Sequence, residues 1–142
     1  MNCIDSFEGE YRWLSNFWPA VVMLDGYEYP SVEHAYQAAK SLDPDYRWRC
    51  RSALHAGLAK RLGRSAVLRS DWNDIRISVM RELVRQKFTH PHLAEKLLAT
   101  GDMKLIEGNH WNDKFWGVCR GQGLNWLGQI LMETRFNLKQ GT

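Results

Sequence analysis

The sequence predicts an α+β fold, a single helix-rich domain with a small, mostly antiparallel sheet. Three observations predict it. Apolar residues recur at helical spacing along much of the chain, most clearly at Ile75, Val79, Met80, Leu83, Val84 and Phe88. The first thirty residues are instead rich in aromatic and β-branched types, with turn signals at Asp25-Gly26 and Pro30. The 142 residues suit one domain, 1–142, with one core, and no repeat, low-complexity stretch or long linker divides them.

Taken in order, Cys3 to Phe7 and Tyr11 to Leu14 are strand candidates. Val21 to Leu24 and Tyr27 to Tyr29 flank Asp25-Gly26 as a hairpin does. A helix starts after Ser31, an N-cap residue, with Val32, Ala35, Ala38 and Ala39 as its apolar stripe. Asp43-Pro44 starts another, since Asp caps and Pro suits the first helical position. Ala53 to Leu62 reads as one or two short helices broken near Gly57 and stopped at Gly63. The helix through Ile75 to Phe88 ends at His90-Pro91, where the next begins and runs through Leu93, Leu97 and Leu98 to Gly101. Met103 to Glu107 and Phe115 to Cys119 read as strands joined by the turn-rich Gly108 to Asp113. A last helix spans about Leu124 to Leu138, with Leu124, Leu127, Leu131 and Phe136 expected in the core.

Composition excludes several classes. No basic and apolar leader follows Met1, and no apolar run approaches the roughly 20 residues that cross a bilayer. Cys3, Cys50 and Cys119 are odd in number and widely spaced, which argues for free thiols in a reducing compartment and against a zinc site. A cytoplasmic protein without membrane attachment is expected. Seven tryptophans are unusual for the length: some belong to the core, flat aromatics also wall sites for sugars and bases, and composition alone does not apportion them.

Charge is unevenly spread. Between Tyr46 and Ser70 stand Arg47, Arg49, Arg51, Lys60, Arg61, Arg64 and Arg69 without one Asp or Glu, whereas the rest of the chain sums to −4. A one-signed segment suits phosphate or nucleic acid, and equally an ordinary solvated helical face.

Four clusters can carry chemistry. On a helix, Glu33, Gln37 and Lys40 fall at i, i+4 and i+7 and share a face, with Glu33 in the first turn where free N–H groups favour a carboxylate. The same spacing suits any capped amphipathic helix. Trp111-Asn112-Asp113, then Phe115-Trp116-Gly117, sets an acid between indoles, either as a general acid or as the residue that closes a turn. Arg12 to Pro19 interleaves aromatics with Arg12, Ser15 and Asn16, as stacking sites and strand ends both do. Gly121 to Gly128 opens a helix with glycines but lacks the Lys-Ser/Thr of a P-loop, so tight turning accounts for it. His34 reads as a structural hydrogen-bonder, and no nucleophilic triad or reactive thiolate is evident.

In combination these blocks resemble the YbiA-like NADAR family. The matching segments are Leu14 to Phe17 with Pro19, Ser31 to Lys40, Gly63-Arg64, Asp71-Trp72, Met80, Lys87-Phe88, Leu97 to Gly101, Leu105 to Glu107, Trp111 to Gly117, Gly123 to Gly128 and Leu131 to Arg135. They run in order along nearly the whole chain. The resemblance implies a YbiA-like fold and N-glycosidase chemistry on phosphoribosylated aminopyrimidine intermediates of riboflavin synthesis or on ADP-ribose attached to guanine. It implies that Glu33, Trp111 and Asp113 match positions tied to activity. It also implies a lysine able to form a Schiff base, with Lys40 the first candidate and Lys60 and Lys87 in matching blocks.

The expectation that follows is hydrolysis of a ribosyl C–N bond, needing no metal or redox cofactor. Glu33 and Asp113 jointly stabilise the sugar cation and protonate the leaving base. Lys40 traps the opened ribose if burial or a cationic neighbour lowers its pKa. Trp111, Trp116, Phe17 and Trp18 wall the base and ribose, Asn16 and Gln37 offer hydrogen bonds, and Arg12, Lys60 and Arg64 meet phosphate. This requires the helix of Glu33 and the turn of Asp113 to share one cleft. Expected partners are a phosphorylated ribosyl or ADP-ribosyl substrate and, for the latter, nucleic acid. The same side chains would also serve a non-catalytic module that binds ADP-ribose or modified nucleic acid.

Overall fold

The computed structural model describes residues 2–141. Its elements are β1 (Cys3–Ile4), a 3₁₀ turn (Gly9–Leu14), β2 (Val22–Leu24), β3 (Tyr27–Tyr29), α1 (Val32–Ala39), α2 (Pro44–Ser52) and α3 (Ala56–Gly63). There follow α4 (Trp72–Lys87), α5 (Pro91–Ala99), β4 (Lys104–Leu105), β5 (Gly108–Asn109), β6 (Val118–Cys119) and α6 (Trp126–Gln140). The fold is α+β and helix-rich, as the periodicities require. Two compact units divide it: Asn16–Lys87, and the chain up to Ser15 together with that from Phe88 onward. Among the described residues no helix is long and apolar enough to cross a membrane.

In the unit Asn16–Lys87, Asp25 and Gly26 both hold positive φ, 48° and 88°. Two such residues in succession form the primed turn whose twist suits an antiparallel ribbon, and β2 and β3 pair across it, Val22 with Tyr29 and Leu24 with Tyr27. Gln86 clips the ribbon to α4: its Oε1 accepts from the Met23 N–H at 2.7 Å and its Nε2 donates to the Met23 carbonyl at 3.1 Å.

Helix α1 packs against α2, α3 and α4. Its small residues Ala35, Ala38 and Ala39 permit that close approach, and all eight of its residues are buried. Ser31 caps it, with Oγ accepting the His34 N–H at 3.1 Å. His34 then ties α1 to the end of α2. Its Nε2 faces the Ala53 carbonyl at 3.1 Å and so carries the ring proton, leaving Nδ1 to accept from the Ser31 hydroxyl at 2.7 Å. Burial lowers its pKa, which favours that neutral ring.

Helix α3 departs from expectation. It starts at Ala56, not Ala53, and runs unbroken through Gly57. Ala53 is extended at the end of α2, and His55 caps α3 by accepting the Leu58 N–H on Nδ1 at 3.3 Å. A histidine cap lies outside the usual Ser/Thr/Asp/Asn signal. Gly57 falls in the first turn, where it does not break the helix.

The other unit corrects the expected strand directions. Its two pairs are both parallel: Cys3 with Lys104 and Ile4 with Leu105, then Gly108 with Val118 and Asn109 with Cys119. Only the β2–β3 ribbon is antiparallel among the described strands, so the sheet is three short pairs, two of them parallel, rather than mostly antiparallel. The turn-rich segment after Gly108 mimics a hairpin in sequence but returns the chain in the same direction. The strands expected at Cys3 to Phe7, Met103 to Glu107 and Phe115 to Cys119 shrink to two residues each.

Tyr11 to Leu14 is not a strand but part of the 3₁₀ turn, closed by the Tyr11 N–H to the Glu8 carbonyl at 3.0 Å and the Ser15 N–H to the Arg12 carbonyl at 2.9 Å. Its aromatics imitate β-propensity. They are there to bury Trp13, which meets Phe88 edge-on at 6.4 Å between centroids. In α6, Leu127 and Leu131 are core residues as expected, joined by Ile130. Leu124 and Phe136 are exposed. Leu124 precedes the helix, and Phe136, nine residues beyond Leu127, lies on the opposite side of it.

Gly26→Val forces a β-branched residue into left-handed backbone. It is expected to destabilise the fold by about 1–2 kcal/mol, read as a lower urea midpoint at unchanged m-value.

Candidate active site

The polar line of α1 is buried rather than solvated. Gln37 Nε2 donates to Glu33 Oε2 at 2.7 Å, one helical turn apart. The start of the line is fixed by the preceding loop. The Glu33 N–H donates to the Asn16 carbonyl at 3.1 Å, and Asn16 Nδ2 contacts Met80 Sδ at 3.5 Å. That places Phe17 beside the site, where the Lys60 amine lies 5.8 Å from the centre of its ring.

Helix α3 closes on this line through Gly63. A Cβ built there would stand 1.8 Å from Gln37 Oε1 and 3.2 Å from Lys40 Nζ. Any larger residue there has to displace Gln37 for the last turn of α3 to lie against these side chains. Beneath them, the Tyr46 hydroxyl of α2 donates to the Gln37 carbonyl at 2.8 Å. Cys50, one turn on from Tyr46, is a buried free thiol.

Lys40 sits at the end of the line as the C-cap of α1, half-buried, with its amine 5.8 Å from the centre of the Tyr36 ring. Burial lowers its pKa most, the Glu33 and Cys50 charges oppose that, and the Lys60 charge adds to it. Lys87 is 1% exposed, and burial brings its pKa down to about 7.

In the other unit, Asp113 closes its turn. Its Oδ1 accepts from the Phe115 N–H at 3.1 Å and the Trp116 N–H at 2.9 Å. Asn109 braces the same loop, accepting the Asp113 N–H at 3.0 Å and donating to the Asp113 carbonyl at 2.9 Å and to Glu107 Oε1 at 3.0 Å. The loop holds Trp111 half-exposed with His110 edge-on at 5.1 Å, and Trp116 edge-on to Phe115 at 4.8 Å.

Asn16, Phe17, Glu33, Gln37, Lys40 and Lys60 are thus brought together within one unit, with Arg64 exposed at the C-cap of α3. Trp111, Asp113 and Trp116 share one loop of the other, which also carries the exposed Arg12 on its 3₁₀ turn. Gly121 to Gly128 serves packing. Asn125 Oδ1 accepts the Glu107 N–H at 3.0 Å and its Nδ2 donates to the Leu105 carbonyl at 3.0 Å. The sequence reading missed Tyr46 and Cys50 under Lys40. Their i, i+4 spacing on α2 was the available signal.

The NADAR domain family matches residues 5–139 of the sequence. The chain belongs to the NADAR family. N-glycosidase YbiA of Escherichia coli (strain K12) is 41% identical over 139 residues, covering 94% of this chain and 85% of that protein. An N-glycosidase of Nostoc punctiforme is 38% identical, covering 91% and 86%. A riboflavin biosynthesis protein of Vibrio vulnificus is 44% identical over 92% of this chain, which spans only 36% of that protein's length. The solution NMR structure of Escherichia coli YbiA superposes with a TM-score of 0.85 at 39% identity, covering 97% of this chain and 84% of that one. With relatives of matching length named for it, this NADAR domain is a hydrolase of N-glycosyl bonds.

Gly63→Ala must swing Gln37 off Glu33 or push α3 away. It is expected to cost about 1–3 kcal/mol, measured by denaturant unfolding, with Gly57→Ala as the mild comparison in the same helix.

Proposed function

We propose that this NADAR domain hydrolyses the ribosyl C–N bond of a phosphorylated, nucleotide-like substrate, with Lys40 as its nucleophile. The observation that carries this reading is the half-buried Lys40 amine at the end of the Glu33–Gln37 line, whose pKa is lowered chiefly by burial. A neutral amine attacks the anomeric carbon as the bond to the base breaks. The proton it loses passes to the leaving nitrogen, and the ribosyl group opens to an imine on Lys40. Water then adds to the imine, releasing the free sugar and restoring the amine. Glu33, held as an acceptor by Gln37, stabilises positive charge at the sugar carbon, and Asp113 is proposed as the second acid because it matches a family position tied to activity. An amine that a sugar must reach favours half-buried Lys40 over the enclosed Lys87. The non-catalytic binding module gives way to the enzyme class.

Two substrate classes each have an observation behind them. The name of the Vibrio vulnificus relative favours a phosphoribosyl aminopyrimidine of riboflavin synthesis. The exposed Arg64, within the one-signed segment, favours the phosphates of ADP-ribose on guanine. Phe17, exposed beside Lys60, offers an aromatic face to the base in either case.

Base release from both substrates, assayed side by side, decides between them. Glu33→Gln and Asp113→Asn are each expected to lower kcat by roughly 100-fold or more, and full activity in both folded variants rejects their roles. Borohydride is expected to trap the sugar on Lys40, and an adduct on another lysine removes it. Trapping rises with pH through the lowered Lys40 pKa, because only the neutral amine attacks. Lys60→Ala removes a cation that lowers that pKa and moves the profile to higher pH, while Glu33→Gln removes an anion that raises it and moves the profile to lower pH.

A further inference from the structure

The structure sorts the cations of the one-signed segment into structural ones, those of the proposed site (Lys60 and Arg64), and those of an outer surface. Arg47 and Arg69 are structural, paired to Asp25 at 2.6 Å and to Asp71 at 2.7 Å. Lys60 belongs to the amine site. Arg49 and Arg61 are exposed and take part in no ion pair among the described residues. Arg51 lies over the Tyr27 ring at 4.5 Å, and that tyrosine is 59% exposed. Trp48, 58% exposed, precedes Arg49 on the outer side of α2, whose inner side is Tyr46 and Cys50. Helix α3, carrying Arg61 outward, packs beside α2.

We propose that Trp48, Arg49, Arg61 and the Tyr27–Arg51 stack form a binding surface for single-stranded nucleic acid. Exposed aromatic faces stack on bases, and arginines beside them take the backbone phosphates. An indole with more than half its surface in water has no packing reason to be there. Arginine in place of lysine suits planar stacking and forked phosphate contacts. A charged membrane fits less well. The exposed positions of α2 are Pro44, Asp45, Trp48, Arg49 and Ser52, and the exposed Leu42 and Leu54 lie beyond its two ends, so the helix presents no continuous aliphatic stripe to insert. Asp45, a turn before Trp48, marks where the surface ends. Strand binding is independent of Lys40 chemistry, since a small nucleotide substrate needs none of these five side chains.

The test is fluorescence anisotropy of a labelled, mixed-sequence single strand of about 20 nucleotides, at salt from roughly 50 to 200 mM. The wild-type chain is expected to bind, with affinity falling steeply as salt rises. Trp48→Ala and the pair Arg49→Glu, Arg61→Glu are each expected to weaken binding about tenfold or more. The arginine pair also flattens the salt slope, while Trp48→Ala leaves that slope in place. Base release from a small nucleotide substrate stays unchanged in all of them, which shows that they fold. Failure of the wild-type chain to bind at low salt overturns the surface, as does binding that these variants leave intact. Tighter association with phosphatidylserine-containing vesicles than with the strand overturns it in favour of a membrane.

Discussion

The arrangement around Lys40 depends on one close contact, that of Gly63 with Gln37. A buried carboxylate and amide beside a half-buried amine are costly unless each finds a partner. Gln37 supplies one by donating to Glu33. The amide can stay in that rotamer only because α3 brings no side chain at Gly63, and the same absence lets Lys60, almost one turn earlier on α3, approach Lys40. The alanines of α1 do the matching work on the other helix. Two small-residue surfaces therefore set the distance at which four polar groups meet.

Much of this was legible in the sequence because it rests on local rules. The primed turn at Asp25-Gly26, the Ser31 cap and the Asp43-Pro44 start each need only two or three neighbouring residues, and each is where the pattern puts it. The Glu33, Gln37, Lys40 line follows from helical geometry alone. What spacing could not show is that this face is buried, since burial depends on partners supplied by α2 and α3. The parallel pairs were illegible for a related reason. Two-residue strands carry no alternation, and β1 meets β4 across about a hundred residues of chain. Phe136 misled because hydrophobic identity outweighed its phase on α6. His55 was missed as a cap because its ring nitrogen does what a hydroxyl or carboxylate usually does.

For Asp113, a turn-closing role does not exclude the proposed chemical one. Asp113 closes its turn with a single oxygen, taking the two N–H groups of Phe115 and Trp116 on Oδ1. This fixes the plane of the carboxyl group. Asn109 fixes the backbone on either side of it, and is itself braced by Glu107. A carboxylate held at one oxygen and anchored at its own backbone has little freedom left in the other, which is what positioning for proton transfer requires.

The electrostatics of Lys40 also bear on what Lys60 is for. Burial is the largest cause of the lowered pKa, and Lys60 acts in the same direction while Glu33 opposes it. A phosphate seated on Lys60 would cancel that repulsion and hold Lys40 protonated at the moment it must attack. Lys60 therefore serves the reaction better as a cationic neighbour, steadied by the face of Phe17, than as an anion site. The phosphate is better met by Arg64, which stands exposed at the end of α3 and carries the forked donors that a phosphate accepts. On the proposed reading, the helix that delivers Gly63 to the amine presents Lys60 to tune it and Arg64 to hold the substrate's charge away from it.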